Sequence, residues 1–176
     1  MKKIFQILLL ATVAFGVLSF SYTNEEKKKI KWYSWEEAVA ANEKNPKPFL
    51  IDMYTDWCGY CKKMDRTTFT DDELAKYLND NFYPVKLDAE QKEDIIWRGV
   101  KFKLVKGDRR SYHELAISLA EGRMSFPTFI YLNEKFERVM ISPGYKNAKD
   151  MMPELVFTQE KKYTEMTWED FKKTYK

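Results

Sequence analysis

Apolar and polar positions along this chain fall into blocks whose period changes from strand-like to helix-like and back. Phe49-Leu50-Ile51-Asp52-Met53-Tyr54 is short and mostly apolar, the pattern of a buried strand. Tyr83 to Leu87, closed by Asp88, reads as a second strand, and Thr128–Leu132, introduced by Pro127, as a third. Asn133-Glu134-Lys135 turns the chain into a fourth, Arg138–Ile141, which Pro143-Gly144 closes. Helical signals lie between them. Ser34-Trp35-Glu36-Glu37 is a capping box, so a helix starts there and runs to Lys44. Lys62-Lys63-Met64-Asp65-Arg66 has no Pro or Gly, which predicts a helix from Cys58 to Thr67 directly after the first strand. Thr70-Asp71-Asp72-Glu73 and Ser111-Tyr112-His113-Glu114 repeat the box. The first opens a helix through Leu78, the second a helix through Leu119 that ends with Gly122 at C′. Partial alternation about Gly99 predicts a β-hairpin within Ile95–Val105. A helix near Lys149–Phe157, with Pro153 acceptable only near its first turn, and a short one from Thr167 to Tyr175 complete the set.

The N-terminus departs from this pattern. Lys2 and Lys3 precede an almost wholly apolar, uncharged run from Ile4 to Phe20, and Ser19 and Ser21 place small residues at −3 and −1 of a cut before Tyr22. That is the layout of a secretory signal peptide over 1–21. The run is also near the lower limit for a spanning helix, so an uncleaved anchor is the alternative. Residues 22–31, polar and lysine-rich, read as a linker, and 32–176 as one domain long enough to bury a core. Removing Lys2 and Lys3 from the 30 Lys and Arg leaves 28 against 27 Asp and Glu, too balanced a charge to steer the protein to nucleic acid. A monomer is expected. Export puts the chain in an oxidising compartment, periplasmic or otherwise extracytoplasmic.

The only two cysteines stand in Trp57-Cys58-Gly59-Tyr60-Cys61-Lys62. Two residues apart, they suit a dithiol/disulfide pair in which one sulfur resolves the other's mixed disulfide. A strand feeding a helix places Cys58 at the helix N-terminus, where unpaired N–H groups and the positive end of the macrodipole favour a thiolate. Cys58 is therefore the expected nucleophile and exposed, Cys61 the buried resolving thiol. A structural disulfide gains little from so short a loop. A structural zinc site needs four ligands, and two Cys with the lone His113 fall short. His113 reads as a surface or packing residue. A thiolate pair also suits Cu(I), which keeps a copper-chaperone function as the alternative. No resident metal and no cofactor beyond the disulfide is expected. Asp52, an acid inside an apolar strand, is either a working group or an exposed acid at the strand end.

Taken together, these residues resemble the thioredoxin-fold thiol–disulfide oxidoreductases, and most of all the secreted bacterial proteins with a Trp-Cys-Gly-X-Cys-Lys-Lys-Met active site. The match runs from Lys47 to Tyr145 and includes Asp52, six residues before Cys58, and Ser125-Phe126-Pro127-Thr128. The resemblance implies an α/β thioredoxin fold, a central mixed sheet flanked by helices; the stretch at 89–124 before the proline is longer than in a minimal thioredoxin and reads as an insertion, and the last helix as a short C-terminal extension. It implies that Pro127 is cis and leaves the Phe126 backbone to pair with substrate, and that Asp52 is buried and takes the proton of Cys61. A lysine beside that acid belongs to the pattern, and Lys86 is the candidate. Trp57, Gly59 and Tyr60 would form the contact face for a client. The clients implied are disulfide-containing exported proteins, with electrons from an upstream thiol donor, soluble or in the membrane. The central Gly-Tyr departs from thioredoxin's Gly-Pro. Reductase is favoured over oxidant.

Overall fold

A computed structural model describes residues 29–175; the expected signal peptide over 1–21 and most of the expected linker over 22–31 lie outside the described residues. The elements follow the alternation of blocks. Strand β1 is Phe49–Tyr54, β2 Tyr83–Asp88, β7 Thr128–Leu132 and β8 Arg138–Pro143; they form one sheet in the order β2-β1-β7-β8. β1 runs parallel to β2 and antiparallel to β7, and β7 antiparallel to β8. This is the mixed sheet that the resemblance implies.

Strand alternation divides the core in two. Phe49, Ile51, Met53, Val85, Leu87, Ile130 and Leu132 face one side, where helices α1 (Trp35–Lys44) and α4 (Glu114–Leu119) cover them with Trp35, Leu115 and Ala116. Leu50, Phe129 and Tyr131 face the other, beneath α2 (Gly59–Arg66), α3 (Asp72–Asn81) and α5 (Ala148–Gln159), which supply Met64, Leu74, Leu78, Met151 and Leu155. By parity Asp52 and Lys86 share this second side, under α2.

The predicted caps hold in part. Ser34 closes its capping box with Glu37; the last helix, α6 (Trp168–Thr174), starts one residue after the expected Thr167, which instead caps it by accepting the Asp170 N–H. The other two boxes shift. α3 is capped by Asp71, whose carboxylate accepts the Leu74 N–H, because a 3-10 turn at Thr68–Thr70 occupies Thr70 and its hydroxyl donates to the Thr67 carbonyl. α4 is capped by His113, whose Nδ1 accepts the Leu115 N–H, while Glu114 reaches back to the Lys103 N–H. His113 is fully buried, a packing and capping residue. α4 ends on Ala120, with Glu121 and Gly122 both left-handed, so Gly122 falls one position beyond C′. Pro153 sits in the second turn of α5, deeper than predicted; Lys149, whose carbonyl its missing N–H would have met, is exposed, where water can serve it. Ile30 is buried in the second core and Lys31 N–H donates to Asn79, so the domain begins inside the stretch read as linker.

The segment between β2 and α4 forms two small hairpins. β3 (Ile95–Trp97) and β4 (Val100–Phe102) pair across Arg98-Gly99, both at positive φ, the two-residue turn that suits strand twist. β5 (Leu104–Val105) and β6 (Tyr112–His113) pair across a longer loop that contains Gly107-Asp108, a local turn signal, while the pairing of these two short strands has no local pattern. Among the described residues no helix is long and apolar enough to cross a membrane.

Candidate active site

The motif occupies the junction of β1 and α2. Cys58 is the N-cap, extended at φ −72° and ψ 102°, and its Sγ accepts the Cys61 N–H at 3.1 Å. Its own N–H donates to the Thr55 carbonyl at 3.0 Å and its carbonyl accepts from Lys62 at 3.2 Å, which locks the entry turn. The two sulfurs form a disulfide, with S–S at 2.13 Å. When the pair is reduced, the N–H that meets Cys58 Sγ and the start of the macrodipole both favour the thiolate there.

The expected contrast in exposure is absent in this oxidised form: Cys58 is 4% and Cys61 3% exposed. In the disulfide the Cys58 sulfur lies over the first helical turn, where it accepts the Cys61 N–H. What faces solvent is the pair of aromatic neighbours, Trp57 at 49% and Tyr60 at 63%. Tyr60 lies near Tyr145, ring centroids 6.0 Å apart, and the Lys63 ammonium sits 4.6 Å from the Tyr145 ring. A Cβ on Gly59 would meet nothing within 4 Å, so the space above it is open.

The Phe126–Pro127 bond is cis, as the resemblance implies. The Phe126 ring packs edge-on to Trp57 at 5.6 Å, which brings this loop to the motif. The Pro127 carbonyl accepts the Gly144 N–H, and no described residue bonds to the Phe126 amide or carbonyl.

Asp52 is 1% exposed, which removes the exposed-acid reading. Register places it opposite Lys86, whose Nζ lies 2.7 Å from Oδ2 as an ion pair. Neither carboxylate oxygen has a well-aligned hydrogen bond among the described residues. Burial pushes the carboxyl above its ordinary range, the Lys86 charge opposes this, and Asp65 adds to it. Lys86 also reaches Asp65 Oδ1 at 2.5 Å. Its ammonium stands 4.9, 5.0 and 5.2 Å from the rings of Trp32, Tyr54 and Phe69. Burial works against the charge on Lys86, but Asp52 and Asp65 outweigh it and the net shift is upward. The result is a line from a buried carboxyl through a caged cation to Asp65, 44% exposed.

Sequence reasoning missed Asp65, Glu90 and Arg110. Asp65 left one signal: it lies four residues after Cys61, on the same helix face. Glu90 and Arg110, which meet the Trp57 indole, left none, because their partner is distant in sequence.

Removing the cation tests the pairing. Lys86→Met leaves Asp52 with burial unopposed by that charge, so its carboxyl moves further up. If the Cys61 proton goes to Asp52, the acid limb of mixed-disulfide resolution shifts to higher pH and the rate at neutral pH falls. Rapid-quench pH–rate profiles read this directly; an unmoved limb would separate Lys86 from the proton step.

Comparison with known proteins places this geometry. The family Thioredox_DsbH, described as a protein of unknown function (DUF255), matches residues 18–174. The chain belongs to this family. Over 67 residues, 38% of its length, it is 36% identical to uncharacterized protein B0495.5 of Caenorhabditis elegans, covering 9% of that protein. Over 45 residues, 26% of its length, it is 44% identical to thiol:disulfide interchange protein DsbD of Ralstonia nicotianae, covering 7% of that protein. The chain thus spans less than a tenth of these curated relatives. The solved structure of a DsbH oxidoreductase superposes with a TM-score of 0.53 at 17% identity, over 75% of this chain and 85% of that one. Family, fold and the Cys58–Cys61 pair agree on a thioredoxin-fold oxidoreductase, and the copper-chaperone alternative is not favoured.

Proposed function

We propose that this protein is an exported thiol–disulfide oxidoreductase that reduces disulfides in proteins. The observation that carries the reading is the Cys58–Cys61 disulfide at the cap of α2, flanked by two exposed aromatic rings. In the reduced enzyme the Cys58 thiolate attacks one sulfur of a client disulfide. That bond breaks, the client's leaving sulfur takes a proton, and a mixed disulfide with Cys58 remains. Cys61 then gives its proton to Asp52 and attacks Cys58 Sγ. The enzyme disulfide forms and the second client thiolate leaves. Two electrons pass to the client, and an upstream dithiol donor returns the enzyme to its reduced form by the reverse exchange.

Trp57, Tyr60, Gly59 and the free backbone of Phe126 form the face a client strand would meet. Export rests on Lys2, Lys3 and the apolar run that follows. The relative named thiol:disulfide interchange protein supports thiol–disulfide exchange as the chemistry.

Three measurements test the reading. Reduced protein is expected to reduce insulin, and its couple, equilibrated against glutathione, to be the more reducing of the two. No insulin reduction would remove the activity; a couple that oxidises glutathione would reverse the direction. N-terminal sequencing of the exported protein is expected to begin after Ser21, and a start at Met1 or Lys2 leaves only the anchored form.

A further inference from the structure

The segment between β2 and β7 reaches the motif at Trp57. Trp57, immediately before Cys58, donates its indole N–H to both carboxylate oxygens of Glu90, at 3.1 and 3.0 Å. The Arg110 guanidinium stands 3.9 Å from the centre of the same indole ring. Arg110 and Glu90 also meet each other, Nη1 to Oε1 at 3.4 Å. The indole is therefore held at its N–H edge by an acid and on one face by a cation, while Phe126 packs edge-on at 5.6 Å. Yet half of Trp57 remains exposed.

Both partners are fixed from behind. The Glu90 N–H donates to the Asp88 carboxylate at 2.9 Å, at the end of β2. The Arg110 carbonyl accepts the Gly107 N–H at 3.1 Å, and a Cβ on Gly107 would lie 2.5 Å from that carbonyl oxygen. The turn carrying Arg110 thus has no room for a side chain at Gly107. A bond from an indole N–H to a carboxylate is charge-assisted, and a guanidinium over an indole face adds a cation–π attraction. The rest of the guanidinium has no hydrogen-bond partner among the described residues, and the Arg110 side chain is 46% exposed.

An exposed tryptophan beside a nucleophile would otherwise change rotamer freely, and ordering it on docking would weaken every encounter. We propose that Glu90 and Arg110 are positioning residues for client recognition: they hold the Trp57 indole in one orientation, so that a docking polypeptide meets a preformed surface. This gives the 89–124 insertion a task at the site, and it rests on the reading that proteins are the clients.

The test is insulin reduction by the full chain with Glu90→Ala, Arg110→Ala and Arg110→Lys, together with the Trp57 indole N–H resonance, assigned by its loss in Trp57→Phe. The two alanine variants are expected to raise KM about three- to tenfold with kcat within about twofold, the signature of lost uniform binding. Arg110→Lys keeps the charge without the planar stack and is expected to recover only part of the loss. Gly107→Ala, which touches neither the indole nor the sulfurs, is expected to act in the same direction by displacing Arg110. In each case the indole resonance should move and exchange faster with water. A moved resonance with unchanged KM overturns the proposal, as does a resonance that stays in place. A fall in kcat at constant KM would put the pair in the chemistry and overturn it equally. If the unaltered protein reduces no insulin, the reading of protein clients fails first, an outcome distinct from either.

Discussion

Cys58→Ser is expected to reduce disulfide-reducing activity to background, while Cys61→Ser is expected to accumulate mixed disulfides with partners. Burial does not distinguish the two cysteines, since both are nearly inaccessible in the oxidised form. Position does. Cys58 Sγ stands at the helix cap with an N–H directed at it, so the reduced thiol loses its proton there more readily than a free one, whose pKa is about 8.5. Cys61 lies one turn further in, above the side of the sheet that carries Asp52, and its ionisation depends on a proton acceptor. Alkylation of the reduced protein should therefore modify Cys58 first. Equal reactivity at both positions would undo the assignment. Trapped partners recovered with Cys61→Ser would also identify the clients.

Asp52→Asn is expected to slow resolution of the mixed disulfide about a hundredfold at neutral pH, the lower end of what a positioned general base contributes, and to slow its formation far less. The cap already favours the Cys58 thiolate, so attack has no need of the acid. Slowed attack with normal resolution would place Asp52 at the wrong cysteine. No change in either step between pH 6 and 8 would show that it carries no proton.

The same substitution has a second, independent consequence. Burial raises the Asp52 carboxyl in the folded state, so the native protein holds this proton more tightly than the unfolded chain does. Stability from this group is full below the unfolded carboxyl range and is lost as pH rises through the raised folded value. Above that value the native state carries a buried charge that Lys86 only partly compensates. Asp52→Asn is thus expected to raise stability at neutral pH by about 1–3 kcal/mol and to change it little in acid. Denaturant unfolding at several pH values measures the difference. A variant less stable at neutral pH would mean that the Lys86 pair outweighs the desolvation of the acid.

Much of this protein is legible along the chain because its signals are local. The apolar run Phe49–Tyr54 sets a strand buried on both faces. The caps at Ser34 and Thr167 are set by a side chain meeting a backbone group three residues on. The turn at Arg98-Gly99 needs only residues that accept positive φ. Cys58-Gly59-Tyr60-Cys61 between a strand and a helix already specifies a thiol pair at a helix start. Where two cap residues compete within one short stretch, as Thr70 with Asp71 and Ser111 with His113, the local signal is ambiguous, and the preceding backbone decides: the 3-10 turn takes Thr70 and strand β6 runs through to His113.

Pairings across the fold are of another kind. Lys86 against Asp52 follows from the register of β1 on β2, which alternation alone leaves open in steps of two residues. The share of Lys86 taken by Asp65 follows from how α2 lies over that register. Glu90 and Arg110 on Trp57 join three segments that no periodicity relates. A sequence pattern records which residues a backbone hydrogen-bond period brings to one face. It carries no record of which faces meet, and a buried charge or an exposed indole acquires its partners only when they do.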